Sequence, residues 1–330
     1  MTGELHPWNA GVFQSLAMRV PRLPHALLIH GVPGIGKLAL AGRFAQSLLC
    51  EHPDRSSRPC GSCDACRWFL AGNHPDSRRL EPESIAMQSA PEPEEGAEAP
   101  ARRARPSVEI KVDEVRGLAD FLNLRSHRGG RRIALVHPAE DMNAHAANAL
   151  LKGLEEPPPE AVFLLVSHRP ARLLPTIRSR CVAVPVPVPE RAAALRWLES
   201  RGVTQAERWL AYSGGAPLRA LEYAGASEAL AALLRAALEG DAGVLDSIRE
   251  RDELETLAEA LQKHALDRAF ESLAGRRKYM TEGKPAAAGT AVAWLEYARS
   301  LGRHRVLARH PVNPRLFVLE MLAGLPSRKT

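Results

Sequence analysis

Four cysteines stand close together in the sequence as Cys50-x9-Cys60-x2-Cys63-x2-Cys66. Thiols in this number and spacing suit a closed tetrahedral Zn²⁺ site, in which four protein ligands leave no position for a reactive water and the metal is structural. The tight C-x2-C-x2-C run also resembles part of a ferredoxin-type iron–sulfur pattern, which brown colour in pure protein would reveal. The opening MTGELHPWNAGVF lacks the charged-then-apolar layout of a secretory leader, so the cysteines are expected to be reduced and a tight cluster points to metal before disulfide. The fifth cysteine, Cys181, borders an apolar run and reads as a small buried hydrophobe.

A second constellation is Gly31-Val-Pro-Gly34-Ile-Gly36-Lys37-Leu38, which matches G-x-x-x-x-G-K between an apolar strand pattern and a helical one. Gly31, Gly34 and Gly36 let backbone N–H groups turn toward a phosphate, the helix start adds positive potential, and Lys37 can reach the outer phosphates. In nucleotide hydrolases the next residue is a Ser or Thr whose hydroxyl ligates Mg²⁺, and acids at the end of a neighbouring strand hold the metal and orient water. Here Leu38 offers only methyl groups, and the apolar run Ile133–Val136 is followed by His137 and Pro138. Glu140 and Asp141 come later, in the expected loop or helix start. Binding of ATP or ADP phosphates through the loop is compatible with these residues, whereas hydrolysis is not expected. Two arginines, Arg180 in Arg178-Ser-Arg180-Cys181 and Arg219 after Gly214-Gly215, read as surface charges on periodicity alone. The arginine-rich stretch 125–132 reads as a charged turn.

The elements that must position these groups follow from hydrophobic patterning. Residues 25–30 form a short apolar strand, Lys37–Leu49 a helix, 110–122 an amphipathic helix, and 143–156 a helix stopped by Pro157-Pro158-Pro159. With Ile133–Val136 and Val162–Val166 as strands, the alternation predicts a parallel sheet covered by helices on both faces. Val182–Val188, interrupted by prolines, suits an edge strand leading into a linker. The stretch at about 81–107, acidic, then basic and proline-rich, is expected to be a flexible insertion. From residue 189 onward the pattern is helical. The expected organisation is an α/β domain over 1–188 with the cysteine module at 50–66, a small helical domain over 189–240, and a second helical domain over 241–330.

At 330 residues the chain has room for two or three domains. Its 45% hydrophobic and 25% charged content excludes collagen-like, mucin-like and wholly disordered classes. No apolar run approaches the ~18 residues of a bilayer span, so a cytoplasmic location is the expectation. The formal charge of +6 permits nucleic-acid contact without requiring it. Only seven of the 44 basic residues are Lys, a composition of the kind a GC-rich genome produces.

Taken together, the phosphate loop, the four-cysteine module, the segment Asn148–Pro158 (NALLKGLEEPP), Ser167–Pro170 (SHRP) and Leu174–Cys181 (LPTIRSRC) resemble the bacterial clamp-loader subunits of the AAA+ class, nearest the delta-prime family of DNA polymerase III. The resemblance covers residues 5–220 and is most specific over 110–185. It implies an AAA+ α/β domain, a helical lid and a helical collar that joins tau/gamma and delta subunits in a hetero-pentamer. The implied job is to help place a sliding clamp on primed DNA. Carried over residue by residue, it makes Cys50, Cys60, Cys63 and Cys66 zinc ligands and Arg180 an arginine finger aimed at the neighbouring subunit's ATP. Ser167 falls at a γ-phosphate sensor position and Arg219 at the lid's sensor arginine. Leu38, His137 and Pro138 depart from the hydrolysing subunits, so the chain itself is expected to lack ATPase and polymerase activity. The alternatives are an ATP-hydrolysing tau/gamma-type subunit, which requires a hydroxyl at 38 and acids at 137 and 138, and a stand-alone zinc-containing DNA-binding protein, which requires a basic helix beside the cysteines.

Overall fold

A computed structural model describes residues 4–89, 106–124, 126–127, 130–239, 248, 251–279, 289–308 and 312–326. The chain divides into two compact units, residues 1–188 and 189–330. The first is built on five parallel strands: β1 (Ala26–His30), β2 (Ser77–Leu80), β3 (Arg132–Val136), β4 (Ala161–Ser167) and β5 (Val182–Pro185), in the spatial order β2-β3-β4-β1-β5. Every residue of β3 and β4 is buried, as expected of central strands covered on both faces. Alternate residues serve the two faces. On one face Leu28, Val136, Phe163 and Leu165 share a core with Val115 and Leu118 of α5 (Val112–Asn123) and Leu150 and Leu154 of α6 (Ala144–Glu155). On the other face α2 (Lys37–Leu49) packs on β1, β3 and β4 and buries Leu40, Ala41, Phe44 and Ala45. The predicted α/β layering, a parallel sheet with helices on both faces, is therefore the one observed. β5 pairs only with β1 among the described strands, which places Pro185 on an edge where its missing N–H does least harm.

Strand order determines where a site can form. From β1 the chain crosses to the far edge and returns through β2, β3 and β4, then passes over β1 to β5. The carboxyl ends of β1 and β4 therefore lie side by side at a switch in direction, with His30 in register with Ser167. Ligands of open parallel sheets bind in such crevices.

Other helices in this unit are α1 (Ala10–Met18), α3 (Asp64–Leu70), α4 (Glu83–Ser89) and α7 (Pro175–Arg180). α4 falls inside the stretch expected to be a flexible insertion. Its acidic first turn is tied to the far side of that stretch: Glu83 accepts from the Ser107 N–H at 3.0 Å and pairs with Lys111 at 2.7 Å. Residues 90–105, the heart of the expected insertion, lie outside the described residues, as do 125, 128 and 129 of the arginine-rich turn.

The second unit contains α8 (Arg191–Ser200), α9 (Ala206–Tyr212), α10 (Pro217–Gly225), α11 (Ser227–Glu239), α12 (Arg251–Ala274), α13 (Ala291–Leu307) and α14 (Pro314–Ala323). One contiguous apolar core, including Leu198, Trp209, Leu257, Leu261, Trp294, Leu301 and Met321, runs through it. The expected division at residue 240 falls outside the described residues. Among the described residues no helix is long and apolar enough to cross a membrane.

Candidate functional site

The phosphate-loop sequence lies where its pattern requires, between the last residue of β1 and the first turn of α2. Gly36 is the α2 N-cap at φ +80°, a left-handed conformation that favours glycine. A β-carbon there would also overlap the His6 ring. The segment before α1 covers this loop: Trp8 Nε1 donates to the Ile35 carbonyl at 3.0 Å, and Asn9 Nδ2 donates to the same oxygen at 2.9 Å. Lys37 is buried, and its Nζ donates to the Val32 carbonyl of its own loop at 2.5 Å. Burial lowers the ammonium to about 8, with the charge of Glu140 opposing that shift. Leu38 follows directly, so the first turn of α2 presents no hydroxyl.

At the end of β3 the chain presents His137 instead of an acid. Its ring is buried beside His168, the centroids 5.3 Å apart. Burial first, then the neighbouring positive groups, pushes this imidazole down to about 3, so it is neutral at physiological pH. A neutral imidazole and a proline ring cannot supply the two carboxylates that metal-assisted hydrolysis needs. Glu140, in a single turn after β3, is the acid that approaches the site. One carboxylate oxygen accepts the backbone N–H groups of His168 (2.8 Å) and Arg169 (3.0 Å), just beyond β4. Ser167 at the end of β4 is buried, its hydroxyl accepting from the Arg169 N–H at 3.2 Å, while its carbonyl accepts the Gly31 N–H at 3.3 Å. The sequence places Glu140 near this end of the sheet but gives no sign that it organises the β4 turn, because its partners lie 28 and 29 residues away.

The four cysteines converge. Cys50 ends α2, Cys60 lies in the following loop, Cys63 is the N-cap of α3, and Cys66 is in its first turn. All four sulfur atoms lie within 4.8 Å of one another, with Cys50–Cys60 at 3.6 Å and Cys50–Cys63 at 3.9 Å. Tetrahedral ligands with metal–sulfur bonds of about 2.3 Å stand about 3.8 Å apart, so the spacing fits an ion at the centre. No disulfide joins them. Backbone N–H groups are aimed at three of the sulfurs: Cys60 N–H at Cys50, Cys63 N–H at Cys60 and Cys66 N–H at Cys63, each 3.4 Å. Such donors favour thiolate; the Cys63 N–H leads in drawing Cys60 down to about 5. Burial pushes Cys50 and Cys66 the other way. The cluster can hold a metal ion, and the donor set is compatible with zinc.

Arg180 is the last residue of α7. Its Nη2 pairs with Glu155 Oε1 at 2.6 Å and its Nη1 donates to the Thr176 carbonyl at 3.0 Å, with about a third of the side chain exposed. Arg219, on α10 of the second unit, is held by Glu259 of α12 at 3.0 Å and lies over the Tyr223 ring. Glu259 is enclosed by cations: Lys263 reaches it at 2.8 Å and Arg305 at 3.0 Å, and the Tyr223 hydroxyl donates to it at 2.6 Å. These charges hold its carboxyl at about 2 against the opposing effect of burial. The sequence marks Arg219 as a candidate but not its partner 40 residues on.

Comparison with known proteins gives three findings. A family model described as DNA polymerase III, delta subunit, matches residues 11–190. A DNA polymerase III subunit delta' from Pseudomonas aeruginosa is 43% identical over 221 residues, 66% of this chain and 60% of that protein. One from Yersinia pestis is 37% identical over 195 residues, 58% of this chain and 51% of that protein. The matched part thus spans 60% and 51% of these relatives' lengths. Among solved structures, a DNA polymerase III gamma subunit-related protein from Thermotoga maritima aligns over 94% of this chain and 97% of its own, with 19% identity and a TM-score of 0.46.

Proposed function

This chain belongs to the delta' subunit family of DNA polymerase III, and from that premise we propose that it is the non-hydrolysing delta' subunit of a cytoplasmic clamp loader. In this role it joins tau/gamma and delta subunits in a hetero-pentamer that places the sliding clamp on primed DNA, and it offers Arg180 to the ATP held by an adjacent subunit. The observation that carries the non-hydrolysing assignment is the end of β3, where a buried neutral His137 and Pro138 stand in place of metal-binding acids. Leu38 adds a second, independent loss. Loop amides and Lys37 keep the chemistry to bind nucleotide phosphates without a metal. Cys50, Cys60, Cys63 and Cys66 hold one structural Zn²⁺, which closes the loop between α2 and α3. The unit over residues 189–330 supplies lid and collar, with Arg219, the sensor-like arginine, engaged by Glu259.

The test is reconstitution of the loader with and without this chain, read by native mass and clamp loading. The expected result is one copy per pentamer and loading that depends on it. Steady-state ATP turnover by the isolated chain that vanishes in Lys37→Ala would overturn the non-hydrolysing assignment.

A further inference from the structure

Resting on the role of Arg180 as the group offered to a neighbour's triphosphate, we propose that Glu155 is its positioning residue, holding the guanidinium ready at the subunit surface. Glu155 is the last residue of α6 and Arg180 the last residue of α7, and the connection between them runs through β4. Their contact, 2.6 Å from Nη2 to Oε1, fixes one terminal nitrogen, and the Thr176 carbonyl at 3.0 Å fixes the other. A guanidinium has five N–H donors, so two anchoring bonds leave Nε and the second hydrogen of each terminal nitrogen for phosphate oxygens. The anchors are firm. Ile177 of α7 is fully buried in the sheet core, which fixes the Thr176 carbonyl beside it, and Leu154 buries the end of α6.

Two physical arguments give this pair a role beyond stability. A carboxylate at a helix C-terminus faces the negative end of the helix dipole, so Glu155 is poorly placed for α6 itself. The Arg180 charge compensates for that placement. The pair is also half exposed, with 34% of the Arg180 and 48% of the Glu155 side chain accessible. Such a pair contributes little to folding, yet an arginine side chain carries a large rotamer entropy that a fixed geometry removes in advance. Glu155 therefore acts on the rate in the neighbouring site through Arg180 and contributes little to the fold.

A double-mutant cycle on the reconstituted loader tests this, with kcat and KM of clamp- and DNA-stimulated ATP hydrolysis measured for Glu155→Ala, Arg180→Ala and the double variant. Glu155→Ala is expected to lower turnover at the one ATP site it serves by about threefold to tenfold, read as a smaller fall in the loader's total kcat because the other sites continue, with KM nearly unchanged. Glu155→Gln, which keeps an acceptor oxygen at the same reach, is expected to recover part of the loss, and the double variant is expected to match Arg180→Ala alone. A Glu155→Ala loader as fast as wild type or faster overturns the proposal. So does an equal further loss in the Arg180→Ala background, the mark of a merely structural effect. If Arg180→Ala itself leaves hydrolysis at the wild-type rate, the underlying arginine-finger assignment fails, a result distinct from the other two.

Discussion

His137 shows how one side chain reports on its site. Its imidazole is pushed down to about 3 in the folded chain, against an ordinary value of 6.5, so between these pH values the unfolded chain binds the extra proton and the native one does not. Stability is therefore full above pH 6.5 and falls as pH drops toward 3. His264, lowered to about 4, adds to the same limb. His137→Gln is expected to flatten the decline of the urea midpoint between pH 6.5 and 4, an effect of up to a few kcal/mol at the acid end. An unchanged acid slope in that variant would show that the ring is not held neutral. At this scale the sequence was legible wherever chemistry is local. The glycines and Lys37, the absent hydroxyl at Leu38 and the cysteine spacing are all read from neighbours in the chain. Glu140, Glu155 and Glu259 were not singled out as partners of His168, Arg180 and Arg219. An acidic residue on a helix or turn normally signals only a solvated surface, and these pairings bridge 28, 25 and 40 residues through the fold.

At the scale of elements, the apolar runs of β1, β3 and β4 are continuous because helices cover both faces, and that continuity makes them visible in the sequence. β2, Ser-Arg-Arg-Leu, has no such run, because it borders the sheet and only β3 pairs with it among the described strands. α4 was hidden by the composition of the segment around it, and its tie to Lys111 depends on tertiary pairing. The cysteine module gives an element-scale prediction. Cys63 both belongs to the four-cysteine cluster and caps α3 by accepting the Cys66 N–H. Serine preserves a cap but not a soft ligand. Cys63→Ser, like chelation of the wild type, is thus expected to remove the metal and raise hydrogen exchange across residues 50–70 while β1, β3 and β4 stay protected. Elemental analysis finding no zinc in the wild type, or iron with sulfide, would contradict the zinc assignment.

A second element-scale prediction concerns the joint of α10, α12 and α13. Glu259 is the carboxylate shared by Arg219, Lys263 and Arg305, while Arg305 also donates to Gln262, Lys263 to the Tyr223 hydroxyl, and the Glu222 charge acts on Arg219. Removal of Glu259 leaves a buried Lys263 and the half-buried Arg219 and Arg305 without their shared anion; burial already lowers Lys263 to about 8 although the Glu259 charge opposes it. Glu259→Ala is expected to destabilise the chain by about 3–5 kcal/mol in urea unfolding. A loss well under 1 kcal/mol would mean that the cations find water instead.

For the molecule as a whole, the two units divide the labour in the proposed assembly: residues 1–188 keep the sheet, the phosphate loop and the four-cysteine module, and residues 189–330 form a helical body with its own core. The first unit carries its family signature in nearly every motif. The second carries little beyond helical periodicity, because helix–helix packing accepts many apolar combinations of similar volume. Leu38, His137 and Pro138 fit the proposed role, in which the chemistry is contributed to another subunit. The most direct measurement is the clamp- and DNA-stimulated ATPase rate of a fully assembled loader carrying Arg180→Ala in this chain, with Arg178→Ala as the neighbouring control. Arginine fingers supplied in trans contribute ~10³–10⁵ in rate at a single GTPase site, diluted here because other ATP sites continue to turn over. The account predicts intact assembly and zinc content, a clear drop in total hydrolysis and loading for Arg180→Ala, and little change for Arg178→Ala. An assembled Arg180→Ala loader that hydrolyses ATP and loads clamps at the wild-type rate would contradict it.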